Sequence, residues 1–151
     1  MSLKDKLTED LKTAMKARDQ VRLDAIRLLL SDLKNQAIAQ MKGPHGDIDE
    51  AEELALLAKH KKQRDESITA FRAGGREDLA SADEAQLQVI LSYLPKQLTR
   101  DEVEVIAREL VTEVGATSKK DMGKVMGKLM AKVKGRFPGD QVKSIVEGIL
   151  P

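Results

Sequence analysis

"LPKQLTRDEVEVIARELVTEVG", residues Leu94 to Gly115, carries in one line the signals that set the fold. Pro95 pushes the residue before it out of helical conformation and so closes whatever precedes it. Thr99 and Glu102 stand three apart, the spacing of a capping box in which each side chain takes the other's backbone amide. Val103, Ile106, Leu110 and Val114 then recur at intervals of three and four. That is one stripe of a helix, not the alternation of a strand. Gly115 supplies the stop. The line therefore reads as a boundary at "LPKQL" followed by the first helix of a new unit.

The same signals extend backwards. Leu3, Leu7, Leu11 and Ala14 line an opening helix, with Ser2 as its N-cap. A second helix is expected from about Asp19 to Met41, with Leu23, Ile26, Leu30, Leu33, Ala37 and Met41 inward. "GPHGD" (Gly43 to Asp47) breaks the chain. A third helix opens on the acidic run "DIDEAEE", which complements its dipole, and ends at Gly74-Gly75. A fourth turns Leu87, Ile90, Leu91 and Leu94 inward and stops at Pro95. Forwards from Gly115, Ser118 with Asp121 caps a sixth helix and Gly135 ends it. "FPGD" leads into a short seventh with Val142, Ile145, Val146 and Ile149 inward. No strand pattern occurs. The expected fold is all-α, an N-terminal four-helix bundle-like part (residues 1–95) followed by a small three-helix C-terminal domain (96–151).

Composition agrees with packed helices. Of the 151 residues 41% are apolar and 34% charged, too hydrophobic for a disordered chain. Phe71, Tyr93 and Phe137 are the only aromatics, so the core must be aliphatic and methionine-filled. Cysteine is absent, which excludes disulfides, thiolate metal sites and a cysteine nucleophile. The N-terminus lacks the apolar core of a signal peptide and no run approaches a membrane span, so a cytoplasmic protein is expected.

The net charge of +1 is uninformative, but its distribution is uneven. Lys119, Lys120, Lys124, Lys128, Lys132, Lys134 and Arg136 crowd one segment against the single acid Asp121. On a helix this segment sorts into rows four residues apart. Val125, Leu129 and Val133 form one row; Met122, Met126 and Met130 form the next. Gly123, Gly127 and Ala131 make a third, and Lys120, Lys124, Lys128 and Lys132 a fourth. The apolar rows read as core, with the lysine row facing away from them. Each glycine costs a helix on the order of 1 kcal/mol against alanine. That cost points to close approach of another helix or of a ligand's backbone. A solvated face normally mixes signs, whereas a one-signed row builds a field able to hold a phosphate backbone. A membrane surface fits less well, since such helices carry bulky Trp, Phe or Leu. No membrane partner is expected.

Catalytic and metal signatures are weak. His45 and His60 are the only histidines and have no ligand spacing, so no metal or cofactor is expected. "SDLK" (Ser31 to Lys34) matches an acylase motif whose companions are missing. "GKVMGK" lacks the loop and the Ser/Thr of a phosphate-binding loop. "KHKKQR" holds a secondary basic cluster of Lys59, Lys61, Lys62 and Arg64. Within it Lys61 and Arg64 occupy stripe positions between Leu57 and Ile68. Their stems are expected to lie on neighbours while their heads reach water or an acid.

Four stretches in order, "KARDQVRLDAIRLLLSDLKN", "ITAFRAGGREDLA", "YLPKQLTRDEVE" and "KKDMGKVMGKLMAKVKGR", make the chain resemble the YqeY family over nearly its whole length. The resemblance implies an all-helical protein in two parts. It also implies likeness to the tail of GatB, the B subunit of the glutamine-dependent tRNA amidotransferase, which contacts tRNA away from the reacting end. Gly123, Val125, Met126, Lys134, Gly135 and Arg136 correspond to the G-x-V-M…K-G-basic pattern of that tail. The chain departs from it at Phe137-Pro138, where Ala and then Asp or Asn are usual, and at Asp140, where a basic residue is frequent.

The resemblance thus implies a non-catalytic tRNA-binding or adaptor protein acting in translation. Lys119, Lys120, Lys124, Lys128, Lys132, Lys134, Arg136 and Lys143 are the RNA-facing candidates, and Gly123, Gly127 and Gly135 the close-approach glycines. The family label of carbon–nitrogen ligase with glutamine as amido donor describes the relative, because this chain has neither its kinase-like cradle nor its Ser/Lys amidase. The alternative is a protein–protein adaptor docking on an aminoacyl-tRNA synthetase or an amidotransferase subunit.

Overall fold

The computed structural model describes residues 1–151 and its regular structure is entirely helical. The helices are α1 (Leu3–Ala17), α2 (Gln20–Ala39), α3 (Glu50–Ala73), α4 (Glu77–Leu91), α5 (Arg100–Val114), α6 (Met122–Val133) and α7 (Gly139–Ile149). A 3₁₀ turn at Lys119–Asp121 precedes α6. The chain divides into two compact units, Met1–Leu94 and Pro95–Pro151.

In the first unit α2 is the hub, packed against α1, α3 and α4. Its Ala25, Ile26, Leu29, Leu33 and Ala37 meet Leu3 and Leu7 of α1, Leu56 and Leu57 of α3, and Val89 and Ile90 of α4. A smaller cluster of Ile68, Ala80 and Leu87 closes the end of the α3–α4 hairpin. Ser2 caps α1 in a complete box: its Oγ accepts the Asp5 amide at 3.2 Å while its own amide donates to the Asp5 carboxylate at 3.3 Å. Tyr93, half-buried after α4, donates its hydroxyl to Asp10 of α1. The loop between α2 and α3 is tied down by Lys4, which pairs with Asp47 at 3.4 Å.

The sequence stripes need three corrections here. Met41 is not inward. α2 ends at Ala39, Met41 turns left-handed with φ of +61°, and its side chain is 96% exposed. A residue in that conformation leaves the helix axis, so helical spacing no longer places its side chain. On the same helix Leu29, not Leu30, is fully buried. On α3 the inward position is His60 rather than Lys61. His60 is 4% exposed and its Nε2 lies 2.8 Å from Asp32 Oδ2, so a polar pair bridges α2 and α3 where an aliphatic contact was expected.

In the second unit α5, α6 and α7 each pack on the other two. Val103, Ala107 and Leu110 meet Val125, Leu129 and Val133, and both meet Val142, Ile145 and Val146. The Thr99–Glu102 box is formed at 3.2 and 3.3 Å, and Gly115 ends α5 with φ of +67°. Phe137 packs against this core from the α6–α7 turn. The entry segment is fastened to that same turn. The Leu98 amide donates to Arg136 O at 2.7 Å and Gln97 Nε2 to Gly135 O at 2.8 Å. Arg136 Nε returns a bond to Lys96 O at 3.0 Å.

The start of α6 differs from the expected cap. Asp121 does not cap the helix; its carboxylate reaches back to accept the Thr117 amide at 3.0 Å. Ser118 Oγ accepts the Lys120 amide at 3.3 Å and so caps the 3₁₀ turn. The tighter turn satisfies the first amides, leaving the Asp121 side chain to close the loop.

Candidate nucleic-acid interface

The rows of α6 have distinct environments. Val125, Leu129 and Val133 are buried. Met122 and Met126 are half-buried and Met130 is 40% exposed, so the methionine row forms the rim of the core rather than its interior. Gly123, Gly127 and Ala131 are exposed, as are Lys124, Lys128 and Lys132. With a hundred degrees per residue, the order round the helix is valine/leucine, methionine, glycine/alanine, lysine. The outermost face is thus shared by the small residues and the lysines.

A Cβ added at Gly123 or Gly127 would meet no atom within 4 Å. Neither glycine lets another helix of this chain approach, so the packing explanation for them does not hold. They bare a strip of helix backbone beside a row of cations. Gly135 serves another purpose: its φ of +75° makes the left-handed turn after α6.

The basic residues fall into two groups. Lys119, Lys120, Lys124, Lys132 and Lys134 are exposed with no carboxylate within salt-bridge distance. The others are engaged. Lys128 Nζ lies 3.4 Å from Glu113 Oε1 of α5, and Lys143 pairs with Glu147 one turn along α7 at 3.9 Å. Arg136 spends its Nε on the Lys96 carbonyl. The Thr117 amide holds the Asp121 carboxyl below the usual carboxylate range, with the Ser118 amide and the Lys124 charge adding to the effect. Asp121 therefore stays anionic at the head of the row, its charge directed into the loop.

The secondary cluster on α3 is placed among acids of its own unit. Lys59 pairs with Asp32 at 3.5 Å, Lys61 with Asp65 at 2.9 Å and Arg64 with Asp83 at 3.1 Å, while Lys62 is exposed. No three His, Cys, Asp or Glu side chains are grouped as a metal site requires, and no helix is long and apolar enough to cross a membrane.

The family model described as Yqey-like protein matches residues 4–150. The chain belongs to the YqeY family. Among YqeY relatives it is similar to "Altered inheritance of mitochondria protein 41, mitochondrial" from Lachancea thermotolerans, with 39% identity over 111 residues, 72% of this chain and 57% of the relative. The protein of the same name from Saccharomyces cerevisiae is 34% identical over 99 residues, covering 66% of this chain and 52% of that one. The one from Vanderwaltozyma polyspora is 32% identical over 123 residues, 77% and 64% of the two chains. The aligned part thus spans between about half and two-thirds of these curated relatives.

Their names overturn the expectation of a cytoplasmic protein. That expectation rested on the lack of an apolar leader. A mitochondrial address is carried by an amphipathic, Arg-rich segment, so the lack of an apolar run bears on secretion alone.

Two features of the site were not legible in the sequence. Glu113 stands fifteen positions before Lys128, and only the packing of α5 on α6 brings them together. The bonds from the Gln97–Leu98 segment to Gly135 and Arg136 span some forty residues, and no local pattern announces them.

Proposed function

We propose that this YqeY protein binds tRNA through the exposed face of α6, recognising phosphates and duplex shape, and performs no chemistry of its own. The observation that supports this reading is the set of unpaired lysines, Lys119, Lys120, Lys124, Lys132 and Lys134, beside a backbone strip bared by Gly123 and Gly127. Lys124 and Lys132, eight residues apart on α6, stand about 12 Å from each other along the helix, so each can meet a separate phosphate. No aromatic ring lies on α6 to stack an unpaired base, which favours structured RNA over single strands.

Binding to bulk tRNA, against a duplex DNA of equal charge and across a salt series, tests the reading. Preference for tRNA with a steep salt dependence is expected. The double variant Lys124→Ala/Lys132→Ala should flatten the log–log slope by about 1.4 to 1.8, since each lost phosphate contact removes about 0.7 to 0.9. An unchanged slope refutes the assignment.

A second reading rests on Met130. Its side chain is 40% exposed, with its tip beside Gly139, and a flexible exposed methionine suits a partner helix. In that case the chain is an adaptor on an aminoacyl-tRNA synthetase or amidotransferase subunit. A pull-down that survives RNase treatment would favour the adaptor over the RNA binder.

A further inference from the structure

We propose that Glu113 is a built-in competitor for the polyanion, holding Lys128 out of the cationic row and setting the affinity of the site below what its charges allow. The inference rests on the RNA-binding reading above. Lys124, Lys128 and Lys132 share one row of α6, yet Lys128 alone has a carboxylate against it, Glu113 Oε1 at 3.4 Å. The acid comes from a different helix, so it is not the incidental i,i+4 neighbour that Lys143 finds in Glu147. The other acid near the row, Asp121, directs its carboxylate to the Thr117 amide. Glu113 therefore presents to Lys128 what a phosphate would present, an anionic oxygen at ion-pair distance.

Both partners are about half exposed, with side-chain accessibilities of 52% and 58%. An exposed pair of this kind is weak, so Glu113 tunes the site rather than locking it. Removing the carboxylate frees Lys128 for one further phosphate contact.

The test uses the full chain and bulk tRNA in a salt series. Glu113→Gln is expected to tighten binding about two- to fivefold at fixed salt, the factor that a weak exposed pair supplies. It should also steepen the salt slope by about 0.7 to 0.9, one added contact. Lys128→Ala alone should change little, and Glu113→Gln/Lys128→Ala should lose the gain. Glu66→Gln, which removes an exposed acid from α3, controls for net charge. The proposal is overturned if Glu113→Gln binds no more tightly than Glu66→Gln, or if its gain persists without Lys128. If wild type binds and Lys124→Ala/Lys132→Ala weakens it while Glu113→Gln is inert, only this inference fails. If no variant binds tRNA, the underlying reading fails with it.

Discussion

Replacing Gly127 by alanine should make the second unit more stable and, on the function proposed above, weaken binding to tRNA. Gly127 sits in the middle of α6, where its backbone amide and carbonyl both belong to the helix ladder. A glycine there costs about 0.8 to 1 kcal/mol against alanine, through lost backbone entropy. The usual offset, steric strain from the new methyl, is absent because the added Cβ has nothing within 4 Å. The full increment should therefore appear as stability. For a unit as small as Pro95–Pro151, with a urea slope of about 1 kcal/mol/M, it moves the unfolding midpoint up by about 1 M. Far-ultraviolet circular dichroism in urea, on the full chain, measures this directly. Gly123 is the second residue of α6 and its amide lies outside the ladder, so Gly123→Ala should gain less. A lowered midpoint for Gly127→Ala would refute the reasoning, since the methyl would then be meeting something. In the same proteins tRNA affinity should fall if the bared backbone is where phosphates rest. Stability gained with affinity untouched would leave the glycines no part in binding.

Other outcomes follow from the packing. Leu129→Ala empties the centre of the second core, where Leu129 is wholly buried. It should cost about 2 to 5 kcal/mol, read from the denaturation midpoint of that unit. Thr99→Ala removes the acceptor for the Glu102 amide and should cost about 0.5 to 2 kcal/mol by the same measurement. Tyr93 is the single tyrosine in a chain without tryptophan, so its ionisation can be followed alone by tyrosinate absorbance. Burial, then its bond to the Asp10 carboxylate and that residue's charge, push its pKa well above the usual phenol value, against a smaller opposing effect of Arg22. A folded-state pKa raised above the unfolded value stabilises fully below about pH 10 and is lost as pH climbs beyond it. The folded chain should show no tyrosinate at pH 10, and Asp10→Asn should bring the transition down. A native chain titrating near 10 would refute the contact.

Much of the fold was legible because helix signals are local. Ser2, Thr99 with Glu102, and Gly115 each act within one turn, and each stands where the sequence put it; the Asp5 half of the first box was added by the structure. The misplacements share one cause. Periodicity gives the direction of a stripe to within about one residue, so Leu29 and His60 took the inward places assigned to Leu30 and Lys61. His60 could not have been chosen by hydrophobicity, because its burial depends on Asp32 from another helix. At Met41 the pattern ran past the point where the backbone leaves the helix. For the candidate site, the sequence displays the lysine and glycine rows but not the openness of the glycines or the Glu113 partner. Both are properties of how α5, α6 and α7 meet.

The bonds from Gln97 and Leu98 to the α6–α7 turn have a practical consequence for anyone transplanting the second unit. A cassette cut at the helix boundary, beginning with the cap Thr99, would keep all three helices. It would leave the carbonyls of Gly135 and Arg136 without the donors that now hold them. Those carbonyls belong to the turn that ends the lysine row. A cassette beginning at Pro95 retains the clasp, including the Lys96 carbonyl that receives Arg136. The four residues ahead of the cap are thus the buckle of the cassette, and trimming them would loosen the turn that ends the lysine row.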